Sequence, residues 1–167
     1  MQNVDNEYEY IHNIINNTDH KLNYNIEKSD IITLLNKLNI CDNFTIIHNY
    51  ENIDYYCTNE LFNSERISYV PIEKYIESIL KYSKCSIEHL IISIIYLKRL
   101  LNTKKIVLTK NNIHYLILIS IVLAIFYLDD DHYSINIYAK YSKISSINKI
   151  NEMLIKYLNL INWNIYI

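Results

Sequence analysis

The sequence predicts an all-α domain, and three observations lead to that fold class. The 167 residues include no glycine and one proline, which disfavours tight β-hairpins because their turns need positive φ angles. Half of the residues are apolar, enough for one domain with a substantial core. In the second half of the chain, apolar residues recur at helical spacing in segments joined by short connections. Together they predict a helical bundle.

The first part of the chain shows weaker patterns. Residues 1–25 are rich in Asn and weakly periodic, and we expect a flexible arm there. Residues 26–67 are expected to hold an N-terminal amphipathic helix and then a long connection without periodicity. The apolar spacing that predicts this helix is that of Ile31, Leu34, Leu35 and Leu38.

Two helices are predicted at the start of the domain, which we place at residues 68–167. Pro71 suits the first turn of a helix that runs to Tyr82, because proline lacks the amide hydrogen that this position leaves unused. Ser86 is a favourable N-cap for a second helix that runs to Leu101.

Three further helices follow. Thr109 is predicted to cap the third, whose apolar run extends from Ile113 to Leu128. A short fourth helix includes residues 135–141, and Ser145 or Ser146 caps a fifth that ends near residue 161. Because the third helix is apolar on all sides, we expect the others to surround it.

The same apolar run raises the alternative of a small membrane-associated protein. It spans 16 residues, whereas crossing a bilayer takes roughly 20. It also contains His114 and Ser120 and is followed by three aspartates. A buried central helix is therefore favoured over a membrane span.

Composition excludes several functions. A chain without glycine cannot form a Gly-rich phosphate loop or a dinucleotide-binding fingerprint. The net charge is −2 with no basic block, so no nucleic-acid partner is predicted. Cys41, Cys57 and Cys85 are too far apart for a zinc knuckle, and with no signal-like N-terminus they favour reduced thiols inside a cell. The 17 tyrosines accompany an excess of Ile, Asn and Lys, so we attribute them to compositional bias and core filling.

Four stretches in order resemble the P-type (also called U-type) cyclins, the family of the yeast phosphate-pathway cyclin. The resemblance covers residues 62–167 and implies a single five-helix cyclin box after the extra N-terminal helix. The stretches are VPIEKYIESILKYSKCSIEHLIISIIYLKRL, LTKNNIHYLILISIVLAIFYLDD, YSINIYAKYSKIS and INKINEMLIKYLNLINWNIYI.

The resemblance implies that this chain is a regulatory subunit and not an enzyme. It would need no cofactor, would form a heterodimer with a cyclin-dependent protein kinase, and would act in cell division in the nucleus or cytoplasm. The kinase contacts that the resemblance implies are Tyr75, Ile79, Tyr82, Phe126 and Leu154; the structural residues are Arg99, Asp129, Asp130 and Asn151.

Two of these positions depart from the family pattern. Cyclins usually carry a Lys late in the third helix and a Glu in the fifth, and here those positions hold Phe126 and Leu154. Losing both charges together is physically consistent, because losing one would leave the other partly buried and unpaired. The pair either makes the kinase face more apolar or simply belongs to the core. The alternative function is therefore a cyclin-fold adaptor that binds a partner without activating a kinase.

Some polar residues could be interpreted as metal-binding or catalytic, but we favour structural roles for them. A metal site could be suggested by the run Asp129, Asp130, Asp131 and His132. Adjacent residues point in different directions, however, so no metal is predicted. We prefer a polar helix stop in which one carboxylate accepts from the amides of the fourth helix. His114 is expected to be a hydrogen-bonded interior histidine. Cys85 precedes a helix, where its pKa could fall, yet no partner suggests a nucleophile.

Overall fold

Five α-helices and one short 3-10 helix make up the part of the chain that the computed structural model describes, residues 60–64, 70–83, 85–109, 111–130, 135–142 and 146–167. No strand occurs among these residues, so the all-α prediction is confirmed. The 3-10 helix is Glu60–Phe62, and the α-helices are α1 (Ile72–Ser83), α2 (Ile87–Asn102), α3 (Ile113–Leu128), α4 (Ile135–Ser142) and α5 (Ile147–Leu160). The predicted arm and N-terminal helix lie outside the described residues.

The helix α3 occupies the centre of the bundle and contacts each of the other four α-helices. All but one of its residues from Ile113 to Ile125 are buried, as its unbroken apolar pattern predicts. One internal polar contact crosses the core, where Ser120 Oγ lies 2.7 Å from Tyr157 Oη of α5. Among the described residues, no helix combines the length and the hydropathy that a membrane crossing requires.

The start of α2 follows the sequence prediction, with Ser86 as N-cap in an extended conformation (φ −88°, ψ 175°). The Ser86 amide donates to His89 Nδ1 at 3.1 Å, so histidine takes the place that Glu or Gln has in a usual capping box. The apolar face of α1 includes Ile76 and Leu80, which are buried, and the helix packs against α3 and α4.

The start of α3 differs from the prediction that Thr109 is its cap. The helix begins at Ile113, and Asn112 is the N-cap. Asn112 Oδ1 accepts from the Thr109 amide at 2.8 Å, and its side-chain nitrogen donates to Val107 O at 2.9 Å. The Thr109 carbonyl accepts from the Ile113 amide, so a turn through residues 109–112 precedes the helix. Thr109 Oγ1 is buried without a hydrogen bond.

The two ends of α5 are completed by different hydrogen bonds and backbone conformations. Of the two serines predicted as caps, Ser146 is the N-cap, and its hydroxyl accepts from the Lys149 amide at 3.2 Å. At the other end, Asn162 and Trp163 both have positive φ angles, 54° and 56°, and the Trp163 amide donates to Leu158 O at 2.8 Å. Asparagine tolerates this left-handed conformation, whereas a bulky residue such as tryptophan adopts it rarely.

The core reaches back into the segment before α1. Phe62 is fully buried, and its ring meets that of Tyr157 edge-on at 6.4 Å. The 3-10 helix thus packs on α5, within a stretch where the sequence showed no periodicity.

Because α3 supplies the centre of the core, truncating one of its side chains should be costly. Leu116 is fully buried, and we expect Leu116→Ala to lower the free energy of unfolding by about 2–5 kcal/mol through lost contacts and the cavity left behind. Ile155→Ala, at an exposed position, is the matched control and should change it by less than about 0.5 kcal/mol. Urea denaturation measures both. Equal effects would contradict the central position of α3.

Candidate partner-binding surface

Large apolar side chains are exposed at two places that the fold brings together, the end of α3 and the segment after α5. Tyr127 and Leu128 in the last turn of α3 are 40% and 41% exposed, and Trp163 and Tyr166 after α5 are 55% and 78% exposed. We call these four residues the aromatic surface. Exposed apolar groups that lie close together mark interaction sites more often than scattered ones do.

Tyr96 of α2 is the residue that connects the two places. Its ring packs edge-on against Tyr127, with centroids 6.4 Å apart, and its hydroxyl donates to Ile165 O at 2.9 Å. Burial raises the pKa of Tyr96, so the hydroxyl keeps its proton and remains a donor at physiological pH.

Arg99, one turn further along α2, makes a second connection to the same segment. Its Nη1 donates to Asn164 O at 2.9 Å, and its guanidinium lies 5.9 Å from the centroid of the Tyr96 ring. Trp163 itself is oriented by a hydrogen bond from its Nε1 to Asn159 Oδ1 at 2.9 Å. The segment after α5 is therefore held on α2 by side chains, although it has no regular secondary structure.

The chemistry of this surface suits binding and not catalysis. Tyr and Trp rings supply large contact areas at low entropic cost, and they are enriched at the energetic centres of protein interfaces. Within the described residues, no three His, Cys, Asp or Glu side chains are grouped so that they could hold a metal ion. Asp131 and His132, part of the acidic run considered above, lie outside that range.

The five predicted kinase contacts are spread over the fold. Tyr75, Ile79 and Leu154 are buried core residues. Phe126 is partly buried and packs against the core beside the aromatic surface, and Tyr82 is exposed at the end of α1. Phe126 and Tyr82 therefore have the greater accessible area for a partner, while contact with a kinase remains a prediction for all five.

Asp129, directly after α3, lies near the start of α2. His89 Nε2 is 3.0 Å from Asp129 Oδ1, close but not aligned as a hydrogen bond. Because His89 Nδ1 accepts from the Ser86 amide, the proton of a neutral ring must sit on Nε2, facing the carboxylate. Asp129 thus joins the end of α3 to α2. Asp130 is exposed, and Asn151 is partly exposed on α5.

Two further residues weighed in the sequence occupy interior positions. His114 Nε2 lies 2.9 Å from Val70 O, and its ring packs edge-on against Tyr75 at 4.8 Å. Cys85 is buried with its Sγ 2.8 Å from Ser83 Oγ. Burial raises the pKa of Cys85 to about 11, with Asp129 adding to the rise. The expectation that the neighbouring helix start could lower this pKa is wrong, because desolvation outweighs it.

Sequence reasoning missed the aromatic surface because the tyrosines were attributed to composition and core filling. Most of the largest buried rings fit that reading, Tyr96, Tyr138 and Tyr157 among them. Trp163 and Tyr166 did offer a signal, since they fall within the last five residues, after the last predicted helix.

Comparison with known proteins gives a consistent family assignment. The profile of the family described as Cyclin matches residues 10–165. Cyclin-U1-1 of Arabidopsis thaliana is 31% identical over 107 residues, 64% of this chain and 50% of that protein. Cyclin-P3-1 of Oryza sativa subsp. japonica is 30% identical over 90 residues, 54% of this chain and 38% of that protein. Cyclin-U4-1 of Arabidopsis thaliana is 32% identical over 78 residues, 46% of this chain and 39% of that protein.

The chain spans half or less of the length of these curated relatives. The family profile begins at residue 10, well before the resemblance seen in the sequence, which began near residue 62. The earlier part of the matched range lies outside the residues that the structure describes.

The connection through Tyr96 predicts a local effect of removing one hydroxyl. Tyr96→Phe keeps the ring against Tyr127 but loses the hydrogen bond to Ile165 O, a change of about 1 kcal/mol. We expect amide hydrogen exchange in residues 163–167 to accelerate about fivefold. Tyr115→Phe, which removes a hydroxyl near the start of α3, is the control. Unchanged exchange in the Tyr96 variant would contradict the connection.

The raised pKa of Cys85 predicts a pH-dependent reactivity. The thiolate is the reactive form, and the pKa rises from 9.0 to about 11, so iodoacetamide should modify the folded protein at Cys85 slowly up to pH 9 and faster as the pH approaches 11. Mass spectrometry of the Cys85 peptide measures this, with urea-unfolded protein as control. Rapid modification of Cys85 in the folded protein at neutral pH would contradict the burial of its thiol.

Proposed function

The chain belongs to the cyclin family, and from that premise we propose that it binds and activates a cyclin-dependent protein kinase. As a member of this family it is a regulatory protein and not an enzyme. The observation that supports the proposal most directly is the aromatic surface, an exposed apolar area held in place by Tyr96 and Arg99. All phosphoryl-transfer chemistry would belong to the kinase.

A partner activates a kinase by binding its active conformation more tightly than its inactive one. In kinases, the conserved Lys–Glu ion pair and the magnesium-binding Asp must both be in place, and the position of one mobile helix controls this. A preorganised surface suits the task, because little of its binding energy is lost in ordering side chains. The hydrogen bonds at residues 163–165 provide that order here.

The proposed interface would depend on apolar contact more than on charge. Phe126, which precedes Tyr127, occupies the position of the family's Lys and is partly buried. Leu154 occupies the position of the family's Glu and is buried. Neither side chain therefore carries a charge that binding would remove from water. Desolvating an unpaired charge costs several kcal/mol. A partner would meet rings and aliphatic groups at the centre, with polar groups at the rim.

The alternative is a cyclin-fold adaptor that binds its partner without activating a kinase. Phe126 and Leu154 are the observation that favours it, because the charged pair that they replace is the usual clamp on the kinase. The two candidates differ in one measurable quantity, the change in kinase activity on saturation.

We further propose a role in the control of the cell cycle or nuclear division, in the nucleus or the cytoplasm. Support comes from the family and from the P-type and U-type relatives, whose names identify them as cyclins. Affinity purification of the tagged chain under mild conditions, followed by mass spectrometry, would identify the kinase. Recovery of no kinase would argue strongly against both the role and the heterodimer.

Removing the exposed rings should weaken kinase binding without unfolding the chain. We expect Tyr127→Ala combined with Trp163→Ala to reduce affinity for the co-purifying kinase at least about tenfold, since such rings contribute 2 kcal/mol or more at interface centres. Calorimetry with purified proteins measures this. Ile155→Ala is the matched control, because Ile155 is 56% exposed, as Trp163 is 55% exposed. Equal losses in the two proteins would place the interface elsewhere.

Kinase activity distinguishes the two candidate functions. Adding the purified chain to the same kinase should raise phosphorylation of a generic substrate if the chain is an activating cyclin. Binding without a rise would support the adaptor. Phe126→Lys restores the usual charge at a partly exposed position and is a suitable probe, whereas Leu154→Glu is not, because it would bury a carboxylate in the core.

A further inference from the structure

The longest part of the sequence without an acidic residue runs between Glu88 and Asp129. It contains five basic residues, Lys98, Arg99, Lys104, Lys105 and Lys110. Since the whole chain has a formal net charge of −2, the rest of the chain carries −7. Positive charge is therefore concentrated in one region of an otherwise acidic protein.

The first four of these residues lie at one end of the described bundle. Lys98 and Arg99 belong to the last turns of α2, and Lys104 and Lys105 follow directly after it. The Thr103 and Lys104 amides continue the helical turn to Leu100 O and Leu101 O at 3.1 and 3.0 Å. Lys104 then adopts φ 56°, which turns the chain, and both lysines are exposed. We call these four residues the basic patch.

The basic patch is continuous with the aromatic surface. Arg99 contacts Asn164, the neighbour of Trp163, and lies over the ring of Tyr96, which packs against Tyr127. Lys104 is five residues beyond Arg99, about 8 Å along a helical path. A peptide that reaches the aromatic surface can therefore extend to the lysines.

A structural role explains only part of the basic patch. Cations in the last turn of a helix stabilise it through the helix dipole, which together with the hydrogen bond to Asn164 O accounts for Arg99. Lys104 and Lys105 lie beyond the helix, and their exposed charges add little to the stability of the core. Their concentration beside an exposed apolar surface is what a binding role predicts.

We propose that the basic patch binds an acidic peptide segment, rich in Asp or Glu, of a protein partner. The complementary charge would steer the segment to the surface and weaken its binding as salt rises. A nucleic acid fits less well, because a long polyanion would extend past the four basic residues to Asp129 and Asp130, which follow directly after Tyr127 and Leu128 of the aromatic surface, whereas a short acidic segment need not. This binding goes beyond the proposed function and does not require a kinase.

A fluorescent peptide in which glutamate alternates with serine, titrated with the full chain, tests the proposal by anisotropy. We expect binding that weakens with added salt, and a loss of at least about tenfold in Lys104→Glu combined with Lys105→Glu. Lys104→Ala with Lys105→Ala should show a smaller loss in the same direction. The matched control is Lys74→Glu with Lys140→Glu, two exposed lysines on α1 and α4, which should lose less than about twofold.

Several results would overturn the proposal. They are no binding of the glutamate peptide, equal binding of a peptide with glutamine in place of glutamate, or equal losses in the two charge-reversed variants. Tighter binding of a single-stranded RNA than of the peptide would overturn the assignment to an acidic protein segment. Because the assay contains no kinase, a chain that binds the peptide but recovers no kinase separates this inference from the proposed function.

Discussion

The enclosure of α3 is the constraint on which the rest of the structure depends. A helix that is apolar on every side must be covered on every side, and α1, α2, α4 and α5 do so. A polar contact between Ser120 and Tyr157 gives a partner to the Tyr157 hydroxyl, which would otherwise be costly to bury. Within α3 the exposed side chains lie in the last turn, where Tyr127 and Leu128 are at the surface.

The exposure of the last turn of α3 links the stability of the fold to its function through α2. Tyr96 is buried by the packing of α2 on α3, yet its hydroxyl and ring position Ile165 and Tyr127. The same packing therefore builds the core and orders the aromatic surface. Arg99 adds a second connection and joins the surface to the basic patch. A regulatory protein needs this kind of rigidity, because a partner's conformation shifts only as far as differential binding allows.

The sequence predicted the helices well, because apolar periodicity records directly which side chains face a core. The run Ile113–Leu128 matches α3 at both ends. The cap of α3 was harder to predict, because Thr and Asn both favour N-cap positions, and the Asn112 side chain bonds the preceding turn at Thr109 and Val107 and not the helix itself. Exposure of Trp163 and Tyr166 could not be read from periodicity, because the segment is held by side chains of α2 far away in sequence. Leu154 was placed on the apolar face of the fifth helix, but the sequence left open whether it meets the core or a partner.

The central claim is that a kinase partner binds at the surface formed by the end of α3 and the segment after α5. Hydrogen exchange of the full chain, alone and saturated with the co-purifying kinase, tests it most directly. We expect new protection in residues 126–128 and 163–167 and none in the solvent-facing residues of α4 around Lys140. Protection around Lys140 without any change at residues 163–167 would contradict the claim.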